Sequence, residues 1–163
     1  RAITSGQQSA ALMTQAIEKT KKIETVETRI LNAAKAIPDA ETERSKKGVL
    51  IRFSGNLFEP GSVQINPKFL PMIGQLAEII KTFADYKVRI EGHSDSSGDA
   101  DANLRLTEKR SSAFLKYLSE KCGVPANRMT AVGLGEAQPI ADNTVQAGRD
   151  KSRRIDTIIL TRE

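Results

Sequence analysis

The stretch K-V-R-I-E-G-H-S-D-S-S-G-D-A-D-A-N-L-R-L-T-E-K-R, Lys87 to Arg110, reads as a strand ending at a carboxylate, a short loop, and a helix that carries an arginine back toward it. Lys87 to Glu91 alternates polar and apolar residues, with Val88 and Ile90 on one face, the period of a half-buried strand. Gly92 lets the backbone turn. His93-Ser94-Asp95 then falls at the C-terminal end of the strand, where sites on α/β scaffolds lie. Ser96-Ser97-Gly98 is turn chemistry, and Asp99 or Asp101 suits the N-cap of the following helix. On that helix Asn103, Thr107 and Arg110 are four and three residues apart and share a face. A helix folded back over the strand end would set this cationic face close to the Asp95 carboxylate.

Outside this stretch the same order continues: Gly133-Leu134-Gly135, Pro139, Asn143, and then Gly148-Arg149, with Arg153-Arg154 following. Gly92-His93-Ser94-Asp95, Asn103 eight residues after the aspartate, and Leu106-Thr107-x-x-Arg110-Ser111 keep a characteristic spacing. Together, over roughly residues 48–161, this set resembles the OmpA-like peptidoglycan-binding family. One departure is Ser152, where the family usually has Asn before the arginine pair.

The resemblance implies a non-catalytic module that holds peptidoglycan through the meso-diaminopimelate of a stem peptide. That residue ends in an ammonium and a carboxylate on one carbon. Such a zwitterion needs a fixed anion and a fixed cation a few ångströms apart. Asp95 would accept from the ammonium, and Arg110 would fork onto the carboxylate with a planar donor set that lysine cannot copy. Asn103 and the amides at the helix start would add donors. In the family the loop after the first strand also carries an Asp or Asn that lines the pocket, and Asn56 is the match here; simple turn formation is its other reading. His93, Thr107, Arg149 and Arg154 follow as secondary contacts. His93 also reads as a structural hydrogen-bonder, and one of Arg153 and Arg154 as an internal strut, since neighbours in a strand point to opposite faces.

Composition narrows the alternatives. The 163 residues suit one domain plus an appendage, and 39% hydrophobic residues with no tryptophan give a modest core. The formal charge of +5 favours acidic partners, but no run of five or six like charges occurs, so no nucleic-acid partner is expected. The single cysteine, Cys122, excludes an intrachain disulfide and a cysteine-based zinc site. His93 is the only histidine and no G-x-S-x-G elbow is present, so a serine-type hydrolase site is not indicated. Counting from Asp95, Leu106 stands where a calcium loop needs its bidentate glutamate. No catalytic residue, metal or cofactor is therefore expected.

Toward the N-terminus, Leu12, Ala16, Lys19, Ile23, Val26, Ile30, Ala33 and Ile37 step by alternating fours and threes. The spacing predicts one long helix, about Ser9 to Ala36, stopped before Pro38. It would lie on its own domain, act as a spacer, or pair weakly with a second copy. Asp39 to Lys47 is charged and aperiodic, which reads as a linker, giving a spacer over 1–47 and a binding domain over 48–163. The domain reads β-α-β-α-β-α-β: strands Gly48–Phe53, Lys87–Glu91, Met129–Val132 and Arg153–Leu160, with helices Pro67–Phe83, Asp101–Lys121 and Thr144–Lys151. That order predicts an α/β sandwich, a four-stranded mixed sheet with helices on one face, and Leu104, Phe114, Leu115 and Leu118 facing the core.

The expected setting is the periplasm of a Gram-negative bacterium, attached to the outer membrane or envelope, with a membrane anchor upstream of Arg1. Two other readings stand beside it. One is the wall-anchoring domain of a flagellar stator protein, which usually carries a longer insertion between the aspartate and the asparagine. The other, from a different class, is a wall hydrolase.

Overall fold

The computed structural model describes residues 4–138, 148 and 152–162. The expected helix Thr144–Lys151, with Pro139, Asn143 and Arg149, lies mostly or wholly outside them.

Helix α1 (Ser5–Ala34) is the long N-terminal helix. A capping box starts it: the Gln7 N–H donates to Thr4 Oγ1 at 3.1 Å, and the Thr4 N–H donates to Gln7 Oε1 at 2.8 Å. The apolar stripe along α1 has two fates. From Ile23 onward it meets the domain, where Ile30, Ala34 and then Ile37 are buried in the core. Before that it overhangs, leaving Leu12 and Met13 each 66% exposed and Ile17 53% exposed.

The sheet has strands β1 (Ala40–Arg44), β2 (Val49–Ser54), β3 (Val88–His93), β4 (Met129–Gly135) and β5 (Arg154–Ile159). Their order is β1-β2-β5-β3-β4; only the β3–β4 pair is parallel. The sheet therefore has five strands, not the expected four. The extra strand is β1, taken from the stretch expected as a linker. Ala40 to Arg44 has no hydrophobic alternation because it is an edge strand, and edge strands carry charges that discourage further pairing.

Register sorts the faces. Val49, Ile51 and Phe53 of β2 stand in cross-strand rows with Ile159, Thr157 and Ile155, and with Val88, Ile90 and Gly92 of β3. This face carries the core. Helix α2 (Leu70–Thr82) adds Ile73, Leu76 and Ile80, and α3 (Ala100–Glu120) adds Phe114 and Leu118. The other face carries a charged row, Glu41, Arg52, Asp156 and Glu91, one residue from each of four strands.

Helix α3 lies close against β3 and β4 because two glycines leave room for it. A Cβ on Gly92 would sit 2.5 Å from Thr107 O, and one on Gly133 would sit 2.2 Å from Glu108 N. Leu104 does not join the core as expected. Its backbone lies against Gly135 at the end of β4, where an added Cβ would stand 3.3 Å from Leu104 Cα, but the residue is 39% exposed.

Two buried polar anchors tie the elements together. Glu27 of α1 has no exposed surface; it accepts from Thr161 Oγ1 at 2.6 Å and from Arg162 Nη2 at 2.8 Å. Burial would raise its carboxyl, but these donors outweigh burial and hold it below the usual range. Arg128, at the foot of β4, donates to the carbonyls of Ile80, Phe83 and Tyr86, closing the C-terminal end of α2.

Candidate functional site

The site forms where β3 runs out. Ser94 N–H still donates to Gly135 O at 2.8 Å, and the chain then leaves the sheet. Asp95 is turned inward and only 5% exposed. Its Oδ1 accepts from the Ser97 N–H at 2.8 Å, an Asx-type turn. Asp99 caps α3 by accepting from the Ala102 N–H at 2.8 Å. Asn103, one turn into α3, reaches back and donates to Ser97 O at 2.7 Å. In this structure it braces the loop that presents Asp95.

Arg110 lies two turns further along α3 and is half-buried. Its Nε donates to Ser62 O at 2.9 Å, and its guanidinium carbon sits 5.2 Å from the centre of the Phe58 ring. Leu57 and Phe58 are buried in the core. Stacking and the Nε bond fix the plane of the fork. No ion pair joins Asp95 to Arg110 among the described residues.

The partner of Asp95 is Arg153, whose Nη1 meets Oδ2. Burial would raise the Asp95 carboxyl, but the Ser97 amide and the Arg153 guanidinium outweigh it and hold the carboxyl below its ordinary value. Burial, and after it the positive charge of Arg153, push Arg110 down. Arg153 thus acts on both walls of the site: it pairs with Asp95 and its charge is felt by Arg110. Sequence reasoning matched the arginine pair but carried Arg154 forward. The signal that could have separated them was register, since β5 begins at Arg154 and leaves Arg153 in the loop before it.

Arg154 is buried on the other side. Its Nε donates to Asp156 Oδ2 at 3.1 Å and its Nη2 to Gln138 O at 3.0 Å. Arg52 binds Asp156 from the next strand, with Nε 2.8 Å from Oδ1. His93 Nε2 lies 3.1 Å from Glu91 Oε1, and Arg89 Nε lies 2.7 Å from Glu91 Oε2. Burial would raise the Glu91 carboxyl, but His93 and Arg89 outweigh it and take it from 4.5 to about 2. Glu91, His93 and Asp156 bring ligating atoms within 4.8 Å of one another. Arg89, Arg52 and Arg154 already balance both carboxylates, so the cluster reads as a structural ladder.

Thr107 is buried and structural in the same sense: its hydroxyl donates to Leu104 O at 2.9 Å and accepts from the Gly135 N–H at 3.0 Å, joining α3 to the end of β4. Ser152, the departure from the family pattern, is buried and donates to Gly148 O at 3.1 Å. Asn56 lies in a 3-10 turn, Gly55–Leu57, and its carbonyl accepts from Asn66 Nδ2 at 3.4 Å. Arg149 lies outside the described residues.

Chemically, the arrangement offers an inward carboxylate, an oriented guanidinium and a second guanidinium between them. It suits a small ligand bearing both charges.

The chain is similar to known proteins in sequence and in structure. The chain is 38% identical to outer membrane porin F of Pseudomonas aeruginosa over 84 residues, 52% of this chain and 24% of the porin. It is 34% identical to the outer-membrane lipoprotein YfiB of the same species over 103 residues, 63% of this chain and 61% of the lipoprotein. The chain therefore spans less than two thirds of the length of either relative. Among solved structures, the cell wall anchor of the type VI secretion system from Pseudomonas aeruginosa superposes with a TM-score of 0.69 at 25% identity, covering 81% of this chain and 95% of that one. The sequence profile of the OmpA family matches residues 57–153. That match covers more than half of the chain and contains Asp95, Asn103, Arg110 and Arg153, and this protein belongs to the OmpA family.

Proposed function

We propose that the chain is a non-catalytic peptidoglycan-binding module that fixes an envelope component to the cell wall, and that its ligand is the meso-diaminopimelate of a stem peptide. The observation that carries this is the pairing of an inward carboxylate, Asp95, with a stacked and oriented guanidinium, Arg110, that is not spent on it. The ligand ammonium takes the Asp95 seat beside Arg153, and the carboxylate on the same carbon takes the Arg110 fork. No bond is made or broken. Likeness to a cell wall anchor and to outer-membrane proteins supports a wall ligand and a periplasmic setting at the outer membrane.

The exposed half of α1 supports a spacer role for residues 5–22, with the binding unit starting near Ile23, where the stripe docks. At 30 residues α1 is roughly 45 Å long. Leu12, Met13 and Ile17 on the overhang give a weak homodimer its seam.

The test is co-sedimentation with purified sacculi. The wild-type chain co-sediments and releases no soluble fragments; Asp95→Ala and Arg110→Ala remain in the supernatant with unchanged circular dichroism. Release of fragments would make the chain a hydrolase. Wild-type levels of binding by either variant would overturn the assignment of the site.

A further inference from the structure

A second groove, of about 690 Å3, opens beside the site. The two share Phe58, whose ring lies under Arg110, and Glu59, whose carbonyl faces Arg110 Nη2 at 3.5 Å. The lining changes sign there. Asp39, Glu41 and Glu59 line it against the single cationic residue Lys68, with the Glu41 carboxylate at its edge 3.9 Å from Arg52 Nη1. Asn56 and Ser54 add an amide and a hydroxyl, and Met72 gives an apolar wall. The shape is built into the fold. Asn66 donates to Asn56 O at 3.4 Å and caps the next turn by accepting from the Lys68 N–H at 3.1 Å, so both groove walls hang on one side chain.

We propose that this groove seats the uncharged glycan of the wall ligand, an N-acetylated hexosamine, while the stem peptide occupies Asp95 and Arg110; the proposal rests on the peptidoglycan reading above. Electrostatics sorts the two halves. Carboxylates of the stem peptide are drawn to the side with Arg110 and Arg153 and repelled from Asp39, Glu41 and Glu59. A neutral sugar pays no such penalty. Its hydroxyls donate to the carboxylates, its acetamido carbonyl accepts from the Asn56 amide, and its C–H face meets Met72. The volume lies within the span typical of small-ligand clefts, about 300–1,000 Å3.

The experiment is calorimetric titration of the full chain with two probes: the free stem tripeptide, and the same tripeptide on its N-acetylglucosamine–N-acetylmuramic acid disaccharide. The disaccharide should tighten binding about tenfold, the effect of one or two net hydrogen bonds. Asp39→Asn with Glu41→Gln, which leaves Asp95 and Arg110 untouched, should remove that gain and leave the free tripeptide unchanged. Equal affinity for the two probes, or a gain that survives the double substitution, overturns the groove assignment alone. Failure of the wild-type chain to bind either probe overturns the peptidoglycan reading and the groove with it.

Discussion

At the scale of single residues, Asp95 and Arg110 are held by different means: an amide and a guanidinium hold the first, a carbonyl and a ring the second. Asp95→Ala removes a charge-assisted acceptor, and Arg110→Ala removes a fork. Each loss is worth roughly 1.5–3 kcal/mol, about 10- to 150-fold in affinity for a diaminopimelate stem peptide by calorimetry. Arg110→Lys should bind nearly as poorly, because a point ammonium keeps neither the stacking on Phe58 nor the Nε bond to Ser62 O. Arg153 reports on Asp95: Arg153→Gln should let the Asp95 carboxyl rise toward its ordinary value, read from carboxyl carbon shifts across a pH titration. Glu91 makes a pH prediction of its own. Its carboxyl is depressed in the folded chain, from 4.5 to about 2, so its stabilisation is complete above 4.5 and is lost as pH falls toward 2. The urea midpoint should drop across that window, and Glu91→Gln should flatten the drop while lowering stability at neutral pH.

At the scale of elements, the site depends on how closely α3 lies on the sheet. Gly133 is the clearest lever. An alanine methyl there would stand 2.2 Å from the Glu108 backbone N, and helix backbone cannot yield as a side-chain tip can. Gly133→Ala should cost about 1–3 kcal/mol or more in urea unfolding and should weaken stem-peptide binding, because the helix that must shift carries Arg110. Gly74 is the contrast. It lies inside α2, and an added Cβ meets nothing within 4 Å. Gly74→Ala should raise stability by roughly 0.5–1 kcal/mol and leave binding unchanged. Thermal melts of both variants, with binding measured alongside, check the pair.

At the scale of the whole molecule, α1 is two things in one helix. Its first half overhangs; its second half supplies Ile30, Ala34 and the buried Glu27. A chain beginning at Ile23 should keep the full thermal midpoint and stay monomeric, whereas the complete chain should show a weak, concentration-dependent dimer in sedimentation velocity. A chain beginning at Gly48 also loses β1, Ile37 and the acceptor for Thr161 and Arg162. It should melt at a markedly lower temperature. An unchanged midpoint would show that the helix contributes nothing to the domain.

Local pattern carried most of this in the sequence. The strand before Asp95, the loop, the helix bearing Asn103, Thr107 and Arg110, and the long first helix were all legible, because each is decided within a few residues by hydrophobic period, a cap or a turn. What depended on distant neighbours was not. Ala40 to Arg44 is a strand only because β2 offers it an edge, and its own charged residues give no sign of that. Leu104 has the right helical phase for the core, but it sits over the last residue of β4, Gly135, and stays exposed. The choice between Arg153 and Arg154 turns on where β5 begins, a matter of register against β2 and β3. Register is set by which row of side chains the core accepts, so only the folded sheet decided that Arg153 faces Asp95 while Arg154 is buried against Asp156.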